Sequence, residues 1–110
     1  MAIIKNLTPH TVTVFQEDGT TRIFPSLGNA RASQTTVPDG TLDGIDLVKM
    51  EFGETTDLPE PEEGVYLIVS IITANAAQAQ GRRTDDLLVT ANPVRDANMR
   101  IIGCKSFARV

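Results

Sequence analysis

With 110 residues, 41% of them apolar but with no Trp, one Tyr and four Phe, the chain fits one domain whose core rests on Ile, Val and Leu. A formal charge of −4 supplies no basic excess for counterion release, which excludes nucleic acid as the default partner. The lone cysteine, Cys104, excludes an intramolecular disulfide and points to a reducing compartment.

The start, Met-Ala-Ile-Ile-Lys-Asn, lacks the basic residues and long apolar run of a signal peptide, and no stretch reaches the length that spans a bilayer. A soluble, cytoplasmic protein without membrane contact is expected. Ile3 and Ile4 open a strand that stops at Asn6-Leu7-Thr8-Pro9-His10, because Pro9 cannot donate to a ladder and pushes Thr8 away from helical angles. Thr11 to Phe15 alternates as a strand with Val12 and Val14 on one face. Asp18-Gly19 is a hairpin connection, and Thr21 to Phe24 pairs back. Pro25 to Asn29 breaks the pattern, Ala30 to Val37 alternates again, and Pro38-Asp39-Gly40 turns a second hairpin.

From Ile45 to Phe52, Val48, Met50 and Phe52 face one way and Lys49 and Glu51 the other, so this segment is expected to be half buried. Gly53 to Gly64 holds two prolines, two glycines and five acids, the composition of a solvated loop. Val65 to Val69 is an apolar run suited to a strand buried on both faces. Ser70 is the N-cap of a helix over about 71–80, with Ile71, Ile72, Ala76 and Ala79 near helical spacing and Gly81 as the stop. Arg82 to Asp86 reads as a charged surface loop, Leu87 to Thr90 as a short strand broken by Asn92-Pro93, and Ile101 to Val110 as a closing strand. The sum is an α+β domain spanning 1–110: a curved, mostly antiparallel sheet or small barrel of about seven short strands with one helix, which can serve as a crossover between strands.

Few residues carry chemistry. His10 is the one histidine, so an acid/base mechanism has to use it, with Cys104 or Ser33 as nucleophile; a structural role in the turn after Pro9 is the simpler reading. One His and one Cys do not make a metal site, and no cofactor is implied. The helix start at Ser70 presents free amides and a positive dipole end that suit a small anion, with Arg31, Arg83, Arg95, Arg100 and His10 as candidate ligand contacts. A different reading uses the acids: Asp39 to Glu63 carries nine against Lys49 alone, and Glu60, Glu62 and Glu63 offer a negative strip to another protein. The apolar closing strand also offers an edge for a homo-oligomer.

Several strings occur together: Asn6 to His10, Leu58-Pro59-Glu60-Pro61, Tyr66 to Ser70, Arg83 to Leu87, and Arg95-Asp96 leading to Ile101-Ile102-Gly103-Cys104. In these the chain resembles a family of small uncharacterised proteins of bacteriophages and bacteria. The resemblance brings no activity with it. It implies a bacterial host cell and, by analogy with small acidic phage proteins, a non-enzymatic protein that occupies a host surface or sequesters a small ligand. Where that family has a glycine before the Ile-Ile-Gly-Cys string, this chain has Asn98-Met99; Asn is next best at positive φ, so the turn is expected to persist.

Overall fold

The computed structural model describes residues 2–110 as eight strands and one helix. In chain order these are β1 (Ile3–Asn6), β2 (Val12–Phe15), β3 (Thr21–Phe24), β4 (Arg31–Leu42), β5 (Ile45–Thr56), β6 (Val65–Ile68), α1 (Ile71–Ala79), β7 (Leu87–Arg95) and β8 (Ile101–Arg109). Six strands form one sheet in the order β1-β6-β7-β8-β2-β3, and β4 pairs with β5 as a separate ribbon. Most paired residues are antiparallel, in β2–β3, β7–β8 and β4–β5, whereas β1–β6, β6–β7 and the single β2–β8 pair are parallel. The α+β class therefore matches the expectation. The strand number is eight, and β4 and β5 run for 12 residues each.

The sheet is built outward from β6. Its alternation sends Val65, Leu67 and Val69 to a core that includes Ala74 and Ala77 of α1 with Leu87 and Val89 of β7. Ile68 goes the other way, into a second core with Val12, Val14 and Cys104, against which Ile4, Phe24, Leu88 and Phe107 pack. A strand filled on both faces needs the continuous apolar run seen in its sequence. The helix crosses from β6 to the parallel β7, and small Ala side chains let it lie close on the sheet. Ser70 caps it, its Oγ accepting from the Thr73 amide at 3.2 Å. At the other end the Arg82 amide donates to Ala77 O and the Gly81 amide to Gln78 O, a Schellman closure with Gly81 at φ +83°.

The second core sits inside a curl of the sheet. Edge strand β1 approaches the far edge through a bridge between Asn6 and Ser26, just past β3, and the Leu27 amide donates to Asn6 O at 2.8 Å. The curl stops short of a closed barrel. Phe24 and Phe107 meet edge-on inside it, ring centroids 5.9 Å apart.

Several local expectations are overturned. The inward face of α1 is Thr73, Ala74, Ala76 and Ala77, while Ile71 and Ile72 are exposed; Thr73 must face inward because its hydroxyl donates to Ala30 O at 3.1 Å. Asn92-Pro93 does not end β7: Asn92 takes φ +54°, yet the pairing stays in register from Ala91 with Ser106 to Pro93 with Cys104, and the one register shift comes later, between Val94 and Arg95. β8 lies between β7 and β2 in the strand order, so it is not the sheet edge that its apolar sequence suggested. Arg82 and Asp86 are not surface charges but an ion pair largely withdrawn from solvent. Finally, the ribbon from Ile45 onward is not half buried, since Val48 and Met50 are each 57% exposed. The base of the ribbon rests on α1, with the Thr55 hydroxyl donating to Gln80 Oε1, and its outer part projects away from the body.

Candidate functional site: the mouth of the curled sheet

The inside of the curl opens at one end into a groove of about 510 Å³. Val12, Gly103 and Cys104 contribute apolar surface to it, continuous with the second core. Ala91 and Pro93 from β7 and Ile101 and Ile102 from β8 add further apolar surface. Polar side chains come from the β1–β2 connection and two strands: Thr8, His10, Thr11, Thr13 and Thr90. The groove thus offers apolar area for a flat or aliphatic group, with hydroxyls and one imidazole to fix polar edges.

Two residues outside the polar set shape this mouth. Asn6 is buried, and its carboxamide uses its full capacity. The Nδ2 donates to His10 O at 2.7 Å and to Phe24 O at 2.8 Å, while Oδ1 accepts from the amide and the hydroxyl of Thr8 at 2.9 and 2.6 Å. One side chain therefore folds the loop that carries Thr8 and His10 and fastens it to the end of β3. Ser26 reinforces the fastening, its hydroxyl donating to Thr8 O at 2.6 Å. Gly103 acts by absence of a side chain: a Cβ there would stand 2.6 Å from Thr13 O and 2.6 Å from a ring carbon of Phe15. Without that close approach β8 could not set Cys104 opposite Val14 of β2.

Cys104 borders the groove but is buried, and burial pushes its thiol above the ordinary value. A thiol in that state is protonated at neutral pH and a poor nucleophile. His10 and Cys104 line the same groove, whereas Ser33 lies on β4 beside Gly53 of the ribbon, outside the mouth's lining.

Of the predicted ligand contacts, His10 alone lines the mouth. Ser70 is committed to the cap and to a contact with the Thr73 hydroxyl at 2.9 Å. Arg31 follows Ala30, whose carbonyl receives Thr73, so its backbone stands beside the helix start. Arg83 forms an exposed pair with Asp85 at 2.9 Å, and Arg95 donates from Nη1 to Met99 O within the β7–β8 connection. The arginines are thus distributed around the molecule rather than gathered at Ser70. Glu60 and Glu62 border a smaller groove of about 260 Å³ that also contains Lys5 and Leu27, and Glu63 shares a third groove with Arg83. The threonines of the mouth are not among the residues expected from the sequence; the local signal for them is the grouping of Thr8, His10 and Thr11 in the connection that leaves β1.

No protein family, no curated protein and no solved structure matches the chain. Among the described residues no group of three or more His, Cys, Asp or Glu side chains is placed to hold a metal ion, and no helix is long and apolar enough to cross a membrane.

Proposed function

We propose that the protein is a non-enzymatic binding module that holds a small nucleotide-like ligand in the mouth of the curled sheet. The observation that carries this reading is the convergence of Thr8, His10, Thr11, Thr13 and Thr90 on a groove of about 510 Å³ with a largely apolar lining. That volume lies within the range of about 300–1,000 Å³ usual for small-molecule sites. A base or ribose ring fits the apolar wall, and the hydroxyls and imidazole supply hydrogen bonds without a fixed charge. The protonated state of the Cys104 thiol favours binding over covalent catalysis. Origin in a phage or mobile element, within a bacterial host cell, belongs to the same proposal and rests on the resemblance of the sequence strings.

This reading moves the ligand away from Ser70, where the arginines do not assemble. Docking of a host protein through Glu60, Glu62 and Glu63 is the lesser alternative, because Lys5 and Arg83 share the grooves these acids border and weaken a purely negative strip. Thermal melting against a panel of nucleotides and related anions tests the reading. A ligand that binds the folded state raises the transition according to its excess over Kd. Thr11 is exposed at the groove, and Thr11→Trp is expected to fill it and abolish the shift. A flat panel, or a shift that survives Thr11→Trp, contradicts the proposal.

A further inference from the structure

Among the described residues, the outer part of the β4–β5 ribbon has no covering element. A two-stranded hairpin is marginal in water on its own, yet beyond its base on α1 this one exposes Leu42 and Ile45 at 65% and 66% along with Val48 and Met50. Surface and shape measure the same incompleteness. The chain exposes 7602 Å², whereas a compact monomer of its mass would expose roughly 5,900 Å². Its radius of gyration is 16.4 Å, against about 13 Å for a compact domain of this length. The surplus surface is of the size that a homodimer removes from each subunit.

Charge indicates what covers the ribbon. Residues 31–56 carry five acids against Arg31 and Lys49, and Asp39, Asp43 and Asp46 lie on its outer half. The β7–β8 connection has the opposite character: Arg95 and Arg100 are exposed there beside Ile101 and Ile102, at 61% and 46% exposure. The nearby acid, Asp96, is occupied by the amides of Asn98 and Arg100. The same chain thus bears an apolar, acidic arm and an apolar, basic patch.

We propose that the ribbon of one copy docks on the β7–β8 end of a second copy, and reciprocally, to form a two-fold dimer. Each copy contributes one arm and one patch, so a single two-fold axis satisfies both contacts and closes the assembly. Ile101 and Ile102 also line the mouth, so the partner's arm stands at the rim of that groove. The dimer itself does not depend on what the groove holds.

The test is sedimentation of the full chain without ligand at tens of micromolar, using two variants and their mixture. Wild type is expected at twice the monomer mass of 11.9 kDa. Asp39→Lys/Asp46→Lys, with a basic arm facing a basic patch, and Arg95→Glu/Arg100→Glu, with an acidic arm facing an acidic patch, are each expected to sediment as monomers. An equimolar mixture restores opposite charges at both contacts and is expected to return to dimer. Wild-type far-UV circular dichroism and a cooperative melting transition, lowered by the loss of the dimer, show that each variant is folded. A monomeric wild type, a larger open assembly, a patch variant that dimerises like wild type, or a mixture that stays monomeric would each overturn the proposal. None of these outcomes bears on nucleotide binding, which is read separately by melting.

Discussion

The guanidinium of Arg82 grips both carboxylate oxygens of Asp86, at 2.9 and 3.0 Å, four residues apart and largely out of solvent. Its Nη1 and Nη2 also donate to Arg83 O and Pro59 O, each at 2.8 Å. The pair therefore joins the end of α1, the start of β7 and the acidic segment before β6. The segments Leu58 to Pro61 and Arg83 to Leu87 come together around this contact.

Removing one partner of such a pair leaves a charge desolvated and unpaired. Asp86→Asn is expected to lower unfolding stability by about 3 kcal/mol, read as a drop in the urea midpoint. The exposed Arg83–Asp85 pair provides the control: Arg83→Ala is expected to change stability by less than about 0.5 kcal/mol.

Asn6 gives a second prediction. Asn6→Asp keeps the shape but turns an oxygen towards two carbonyls, His10 O and Phe24 O, that now receive hydrogen bonds. A loss of about 2–3 kcal/mol is expected, since buried acceptors lose their donors, and amide exchange in the Thr8 to Thr11 connection should accelerate. Stability equal to wild type would mean that the loop holds its form by other means.

Met99 carries a removable cost. It adopts φ +65° in the connection between β7 and β8, a left-handed conformation that glycine takes freely and other residues do not. The turn persists as expected, with the Met99 amide on Asp96 O and the Asp96 amide on Arg100 O. The left-handed residue is Met99, however, and not Asn98. Met99→Gly is expected to stabilise dilute protein by roughly 0.5–1 kcal/mol, a rise of a few degrees in Tm. Gly103→Ala is expected to do the opposite, because its Cβ would press on Thr13 O and Phe15.

Cys104 ties stability to alkali. Burial raises its folded pKa above the ordinary 9.0, so the folded state holds the proton more tightly than the unfolded chain. Below pH 9 the thiol is protonated in both states and there is no penalty; above it the unfolded chain ionises first, and stability falls until the folded thiol also titrates. Cys104→Ala is expected to flatten this alkaline decline. Labelling by a thiol reagent such as DTNB should be slow for native protein at pH 7.5 and fast in denaturant.

The parts of the fold legible in the sequence are those governed by local rules. Val65 to Val69, the Ser70 cap and the Gly81 stop all follow from alternation and cap chemistry over a few residues, and each is found as expected. What escaped depends on distant partners. Arg82 to Asp86 has the composition of a surface loop, and nothing local reveals that Pro59 and the end of α1 will enclose it. The alternation of Val48, Met50 and Phe52 cannot say whether a face is covered within one chain, and Val48 and Met50 are left exposed. At the candidate site, His10 stands out in the sequence as the lone histidine. A threonine in a strand is ordinary, and only the curl of the sheet brings Thr13 and Thr90 to the same groove.

On the proposed reading a ligand sits in the mouth of the curl and not at the helix start. Backbone amide NMR, with the nucleotide that gives the largest melting shift, tests it most directly. Chemical-shift changes concentrated in Thr8 to Thr13, Thr90 to Asn92 and Ile101 to Cys104 are expected. Changes centred on Ser70 to Thr73 and Arg31, or no saturable change with any nucleotide, would contradict it.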